Sequence, residues 1–398
     1  MSTGGLARSL YDGPWRAVPV LGVTQVLAWG TMFYPPVLIV PLIAADRGWS
    51  ISFAMGGFSL ALLTAGVTAR YIGTSIDRLG GQVTMTLGSL AGAAGLGLIV
   101  YAAHPLAYYA VWMLIGAAMA ASLYDAAFAS LGRIFGIRAR RPITALTLVG
   151  GFASTVSWPV TQLLIEHAGW RGCYLVYAAL LAGVCAPLHA LLLPRARAQL
   201  EPAHENAAAA AKKFLPARGP VFLLLATGFA AYAFVPSGMS AHLLAIFKRS
   251  GIDAGTVVWI GALFGPAQVA ARLVEFAFGR NVHPLSVARG ALIVLLGAFA
   301  MLVVTGLTPL SAAAFAILFG GANGLMTITR GAAPLALFGA KGYGKLMGRI
   351  AAPYLLMQAA APWVMALVIE RVSDAAALVL ASGFGAIALV CILAVKRV

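Results

Sequence analysis

Charge is what this sequence has least of. Only 10% of its 398 residues are Asp, Glu, Lys or Arg, while 61% are hydrophobic and the mean hydropathy is +0.93. A soluble domain of this length could not stay dissolved with that balance, so the composition describes an integral membrane protein. The little charge present is lopsided, at net +16. On a soluble surface such an excess would suggest nucleic-acid binding. Here the basic residues gather in the polar segments between apolar runs, the positive-inside pattern, which argues against nucleic acid as a partner and leaves membrane lipid headgroups as the anions they meet.

Cysteine is nearly absent as well. Cys173, Cys185 and Cys391 show no metal-type spacing and read as small apolar core residues. Nucleotide and catalytic signatures are also missing. Gly339 to Lys345 fits G-x-x-x-x-G-K, but Leu346 stands where a Ser or Thr would hold magnesium, and no strand precedes it. There is no H-E-x-x-H and no nucleophile elbow. The chain is therefore not expected to be an enzyme, to need a cofactor or metal, or to pump with ATP; its energy has to come from gradients. Arg8 and Arg16 precede the first apolar run as in a secretory signal. That run continues well past the ~7–15 residues of a signal core and reads as a retained helix.

What the chain has in abundance is apolar sequence long enough to cross a membrane. A crossing takes roughly 20 residues for ~30 Å of hydrocarbon. Twelve stretches qualify, near 17–45, 52–76, 83–103, 106–132, 143–165, 172–193, 219–247, 255–278, 285–306, 309–337, 344–368 and 375–395. The one long polar interruption, 194–218, falls at the midpoint and reads as a cytoplasmic linker between a six-helix bundle, 1–193, and a second, 219–398. Sliding the second half back by about 203 positions lays Phe338-Gly339 on Phe135-Gly136 and Pro362 on Pro159, and a slide of about 202 lays Arg272 on Arg70. Two related halves joined by a linker are the plan of many secondary transporters. Pro35-Pro36, Pro236, Gly331 and Pro334 are expected to kink the first, seventh and tenth spans.

The segment Gly73-Thr-Ser-Ile-Asp77-Arg78-Leu-Gly80 closes the second span. Gly80 permits a tight turn, and Asp77 and Arg78 can bind charges or helix ends. This G-x-x-x-D-R-x-G pattern resembles the signature loop of the major facilitator superfamily, and with twelve spans and a central linker the resemblance covers the chain. It implies an all-α membrane fold of two pseudo-symmetric six-helix bundles, with Arg70, Gly73, Asp77, Arg78 and Gly80 at an inner gate. Where that family has basic residues, this chain has Gly81 and Gln82, which implies a thinner charge network. A narrower resemblance is to the monocarboxylate-porter and oxalate:formate-antiporter-like branch. It rests on Gly48-Trp49-Ser50, Gly169-Trp170-Arg171 and an eighth span reading Gly265-Pro-Ala-Gln-Val-Ala-Ala-Arg272. It implies that Arg272 pairs with a substrate carboxylate. The chain departs from the branch in having no lysine inside the first or eleventh span.

Ionisable residues within spans mark sites, because each costs on the order of 2.5–3.5 kcal/mol if it faces lipid. Arg70, Asp125, Arg272 and Arg330 stand out. Arg272, with Glu275 one turn on, either binds substrate or forms a structural pair. Arg330 either contacts substrate or pairs with Asp125. Asp125 is the proton-coupling candidate, because burial and a neighbouring arginine act on its charge in opposite directions; a permanent pair with Arg330 or Arg133 is the alternative. Gln25, Trp29, Tyr34, Tyr124, Tyr232, His242, Gln268, Asn323, Tyr354 and Gln358 are polar or aromatic residues that can line a cavity or glue helices.

The expected function is alternating-access transport of a small, monocarboxylate-like organic anion by a monomer in a bacterial-type inner (plasma) membrane. An inside-negative potential opposes anion entry by about 2.3 kcal/mol per charge per 100 mV, so uptake needs co-transported protons (symport) or a counter-substrate (antiport). Efflux of drugs or other amphipathic compounds is the alternative within transport. A substrate sensor on a transporter scaffold is the alternative outside it.

Overall fold

The computed structural model describes residues 13–194 and 219–395. The expected linker, apart from Pro194, and both chain ends lie outside the described residues. Everything described is helix and turn. Nine helices are long and apolar enough to cross a membrane. One of these runs from Pro105 to Leu192 and is divided by positive-φ turns at Gly136 and Gly169, giving three passes; Gly81–Leu98 supplies another. Twelve passes therefore exist among the described residues, as expected.

They are α1 (Pro14–Arg47), α2 (Ile51–Leu79), α3 (Gly81–Leu98), α4 (Pro105–Ser122 and Tyr124–Phe135), α5 (from Arg140 to 168), α6 (170–192), α7 (Pro220–Arg249), α8 (Ala254–Phe278), α9 (Pro284–Thr305), α10 (Pro309–Phe338), α11 (Tyr343–Arg371) and α12 (Asp374–Ala394). They fall into two compact units. The first holds 13–194 with Pro334–Ala352, and the second holds 219–333 with 353–395.

In the first unit α2 packs along the first half of α4. Lipid tails give helices no hydrophobic reason to associate, so small residues that let backbones touch do that work. A Cβ on Gly116 would lie 2.2 Å from the Ala61 carbonyl oxygen, and one on Gly57 would strike the Trp112 ring. In the second unit Gly320 has the corresponding place, where a Cβ would lie 2.7 Å from the Phe264 carbonyl oxygen.

The helix starts are written in the sequence. Ser50 accepts from the Phe53 amide at 3.1 Å, and Asp253 accepts from the Thr256 amide at 2.9 Å. Each supplies an acceptor that the first turn lacks. The two caps are one repeat apart, 50 to 253.

Tying of the first helix to the last repeats in the same way. Arg171 grips Asp46 with both terminal nitrogens, at 3.0 and 2.7 Å. Arg249 grips Asp374 at 2.9 and 2.6 Å. The steps from 46 to 249 and from 171 to 374 are both 203 positions, and the polarity is reversed.

The two Gly-Trp motifs converge on one guanidinium. Arg47 lies 5.2 Å from the Trp49 ring, 5.4 Å from that of Trp170 and 5.5 Å from that of Tyr108, and donates to the Ile99 carbonyl at 2.7 Å. Cation–π contacts and a carbonyl at the end of α3 thus hold the Gly48 end of the first unit together.

α1 changes to π-helix over Trp29–Phe33 and turns at Tyr34-Pro35, at the expected Pro35-Pro36, while α7 and α10 continue as helix through Pro236 and Pro334. α4 breaks at Leu123, whose φ of −85° and ψ of −168° are extended, with neither Gly nor Pro beside it. The signature segment also differs from its expected form as a loop: residues 73 to 79 are the last turns of α2, and only Gly80, at φ 92°, is turn.

Candidate functional site

Three groups of the singled-out residues assemble, two in the first unit and one in the second.

The first group lies where α1 and α4 lose regular winding. A π-turn and a helix break free backbone carbonyls that must find donors in a water-poor interior. Gln25 is fully buried and donates from Nε2 to the Ser122 carbonyl at 2.6 Å, beside the break in α4. Its Oε1 accepts from Trp29 Nε1 at 3.2 Å. Ser157 on α5 donates to the Gly30 carbonyl at 2.8 Å, pinning the π-turn from another helix. Trp29 is thereby set 5.1 Å from the Tyr124 ring and 6.0 Å from that of Tyr34, and Tyr34 lies 6.2 Å from Trp158. Asp125 lies half-buried in the first turn after the break. Four of the expected residues, Trp29, Tyr34, Tyr124 and Asp125, therefore share this region. Gln25, read as able to line a cavity or glue helices, has both ends of its amide bonded within the protein, tying Trp29 to the α4 break.

The second group is the Gly80 end. Asp77 accepts from the Gly344 and Lys345 amides at 2.9 and 2.7 Å, so its carboxylate caps the first turn of α11 and meets the positive end of that helix. Gly73 is required there, because a Cβ would lie 2.0 Å from the Gly344 carbonyl oxygen. Arg133 donates to the Ile76, Asp77 and Arg78 carbonyls, covering the last turn of α2. Arg78 is exposed. Arg70 is exposed too, with its guanidinium 4.8 Å from the Tyr71 ring. Gly81 and Gln82 have structural reasons. Gly81 sits where a Cβ would be 2.0 Å from Ser130 Oγ. Gln82 donates to the Ala190 carbonyl in the π-turn Leu188–Leu192 of α6.

The third group is in the second unit, where α7, α8, α10 and α11 bring polar residues together. Arg272 is 3% exposed; its Nη2 donates to Gln268 Oε1 at 3.1 Å and its Nε to the Gly324 carbonyl at 3.5 Å. Gly324 lets α10 come that close, since a Cβ would lie 2.6 Å from the Gln268 carbonyl oxygen. Arg330, 6% exposed, holds its guanidinium 4.1 Å from the Tyr354 ring. The Tyr232 hydroxyl donates to Asn323 Oδ1 at 2.5 Å and lies in the electrostatic field of both Arg272 and Arg330. Glu275 is buried at 7% exposure. Neutral acceptors and an aromatic face are among the groups that hold these guanidiniums in place.

Two expected residues lie apart from the Tyr232 hydrogen bond. His242 shares a hydrogen bond of 2.9 Å with the Pro362 carbonyl, and the Gln358 carbonyl accepts from Ser237 at 2.6 Å; both join α7 to α11. Sequence reading missed His189, fully buried between Ser89 Oγ at 3.1 Å and Thr24 Oγ1 at 2.9 Å, where it ties α6 to α3 and α1. Its signal was a lone histidine near the end of an apolar run. Among the described residues no group of three or more His, Cys, Asp or Glu is placed to hold a metal.

Twelve apolar helices carrying a repeat, with broken helices and charged residues inside, define a polytopic membrane transporter. A family model described as Major Facilitator Superfamily matches residues 21–334, and the chain belongs to that family. Among solved structures, the human organic anion transporter MFSD10 (TETRAN) is similar at a TM-score of 0.72 and 16% identity, over 95% of this chain and 99% of that one. The proton:xylose symporter XylE, bound to 6-bromo-6-deoxy-D-glucose, is similar at a TM-score of 0.74 and 10% identity, over 98% and 97%. These likenesses concern the fold. Monocarboxylate transporter 3 of Rattus norvegicus is 31% identical over 196 residues, which are 47% of this chain and 39% of that protein. The match thus spans well under half the length of that relative.

Proposed function

We propose that this transporter moves a small organic anion of monocarboxylate type by alternating access, coupled to protons or by exchange. The observation that carries the reading is Arg272: a guanidinium at 3% exposure, inside a membrane-spanning helix and hydrogen-bonded to the neutral acceptors Gln268 and Gly324. A planar two-point donor of this kind fits a carboxylate. Arg330, beside Tyr354, is assigned the same ligand. Tyr232 and Asn323 orient it, and Asp125 is assigned the proton. The partial likeness to a monocarboxylate transporter supports the substrate class. In this reading the protein is a monomer of two bundles, 1–193 and 219–398, in a bacterial-type inner membrane. The Gly80 end, the linker and both termini are cytoplasmic, and Asp77 on the start of α11 closes the cytoplasmic side.

Uptake of carboxylates into proteoliposomes tests it. Arg272→Gln is expected to lower uptake about a hundredfold, and Arg272→Lys nearly as much, because lysine cannot reproduce the fork. A well-folded Arg272→Gln protein that keeps its affinity for a transported carboxylate removes Arg272 from the site. Asp125→Asn is expected to abolish pH-driven accumulation while exchange survives. If lipophilic cations are transported and no carboxylate is, the efflux of amphipathic compounds replaces this function.

A further inference from the structure

We infer that the first unit carries a binding site for one anionic phospholipid, in a cavity where α2, α4 and α6 end and α3 begins. The inference goes beyond the transport reading and does not depend on what is transported.

The cavity has a volume of about 450 Å³ and lies between Leu79 at the end of α2, Val83 and Leu87 on α3, Arg133 on α4 and Ala190 on α6. Its depth in the membrane follows from α3. That helix has 18 residues. At 1.5 Å per residue it spans about 27 Å, and a crossing takes ~30 Å, so nearly its whole length is needed and its first turn lies at headgroup level. Leu87 is about 9 Å further along the axis, at the depth of acyl chains. Val83 and Leu87, one turn apart on the same face, are 43% and 59% exposed. Gln82 donates to the Ala190 carbonyl, so the two helices that wall the cavity are tied together.

The polar end of the cavity carries positive charge with no acid to answer it. Arg133 donates to the Ile76, Asp77 and Arg78 carbonyls, which accounts for three of the five N–H groups of a guanidinium and for none of its charge. No Asp or Glu lines the cavity among the described residues. Asp77, close by in sequence, is already engaged by the Gly344 and Lys345 amides. Gly80 starts α3 without a side-chain cap, so the amides of the first turn add the positive end of a helix dipole. Arg78, next to Leu79, is exposed and adds a further cation at this end.

A cation at headgroup depth with an exposed apolar wall below it repeats the division within a phospholipid. The phosphodiester supplies charged acceptors for the guanidinium and for the first turn of α3, and such charge-assisted bonds are the strong ones. The acyl chain covers Val83 and Leu87. A free phosphate would satisfy the first requirement and leave the second unmet. Annular lipid of any headgroup would satisfy the second alone. Only an anionic lipid meets both, as expected for a basic pocket between spans at the inner face of a membrane.

Lipid titration of the purified full chain, read by native mass spectrometry, tests this with dioleoyl phosphatidylglycerol, dioleoyl phosphatidylcholine and glycerol 3-phosphate as probes. One phosphatidylglycerol is expected to bind about tenfold or more tighter than phosphatidylcholine. Arg133→Gln should cut that preference to about twofold by removing the charge. Val83→Trp should do the same by filling the cavity from a partly exposed position. It leaves Arg133 and its carbonyl partners in place, so it decides the matter if Arg133→Gln fails to fold. Equal retention of the two lipids by the native protein overturns the inference, as does a preference unchanged in folded Val83→Trp. Glycerol 3-phosphate binding as tightly as phosphatidylglycerol also overturns it, by making the site one for a soluble phosphate ester. None of these outcomes bears on Arg272 or on carboxylate uptake.

Discussion

Set one repeat against the other and the same positions do the same mechanical jobs with different chemistry. The ion pair that ties first helix to last is Asp46–Arg171 in the first unit and Arg249–Asp374 in the second, with acid and base exchanged. The cap that starts the second helix is Ser50 in one and Asp253 in the other. The close approach of second and fourth helices uses Gly116 in one and Gly320 in the other. Arg70 and Arg272 depart from this rule, for the first is exposed and the second buried. The polar centres have diverged with them. The first unit has a cluster of aromatic rings near the α4 break that Asp125 follows, and the second has two buried guanidiniums with tyrosines, amides and the buried Glu275. The positions that hold helices together correspond between the repeats, and the polar centres do not.

The largest test of that contrast compares the arginine mates. Arg272→Gln is expected to cost about a hundredfold in carboxylate uptake, whereas Arg70→Gln should stay within about threefold, because an exposed guanidinium on a neighbouring tyrosine is already solvated. Equal losses in proteoliposome uptake would mean that burial does not separate their roles.

The next effect is steric and should be shared. Gly116→Ala and Gly320→Ala each push a methyl into a facing backbone, and overpacking of this kind costs about 1–3 kcal/mol. The cost should be greater at Gly116, where the approach is 2.2 Å against 2.7 Å. Thermal unfolding of the purified protein in detergent ranks them; a reversed order would show that α8 and α10 yield less than α2 and α4.

These comparisons also show what could be read from sequence. The passes, the repeat and the signature motif follow from apolar length and from residues close together in the chain. The α4 break does not, because Ser122-Leu123-Tyr124 contains no helix breaker; the donor that satisfies it, Gln25, is 97 positions away. Asp77 was legible as a group able to bind a helix end, but its partners Gly344 and Lys345 lie 267 and 268 positions on. Arg70 and Arg272 look alike as letters and differ only in what packs around them. The prolines were legible in part: Pro35-Pro36 marks the turn in α1, while α7 and α10 continue as helix through Pro236 and Pro334.

A smaller effect is expected at the ion pairs. All four side chains are at least a quarter exposed, so water and salt screen them strongly. Asp46→Arg alone should lower the thermal midpoint at low salt, and adding Arg171→Asp should restore it by giving the first unit the polarity of the second. About 1 M salt, with a screening length near 3 Å, should erase the difference. Failure of the double exchange would mean that the orientation of the pair matters, through Arg47 beside it.

The smallest effect separates the two caps by pH. Asp253 has its carboxyl held below the ordinary value of 3.8, first by a hydrogen bond from the Thr256 side chain and then by the Thr256 amide. A group whose pKa is lowered on folding stabilises the folded state above its ordinary pKa, and that contribution disappears as pH falls through the lowered value. Ser50 makes the equivalent bond with a hydroxyl that does not titrate in this range. Between about pH 5 and pH 3, therefore, the cap on α8 should weaken and the cap on α2 should not. Asp253→Ser should remove a small part of the acid sensitivity of unfolding, and Ser50→Asp should add a similar part. Hydrogen exchange of the Thr256 and Phe53 amides resolves the two caps. Faster exchange at low pH is expected at Thr256 alone in the native protein, and at both in Ser50→Asp. Acid-induced exchange at Phe53 in the native protein would show that the α2 start responds to some other titrating group, and the two caps would then not differ in the way their side chains imply.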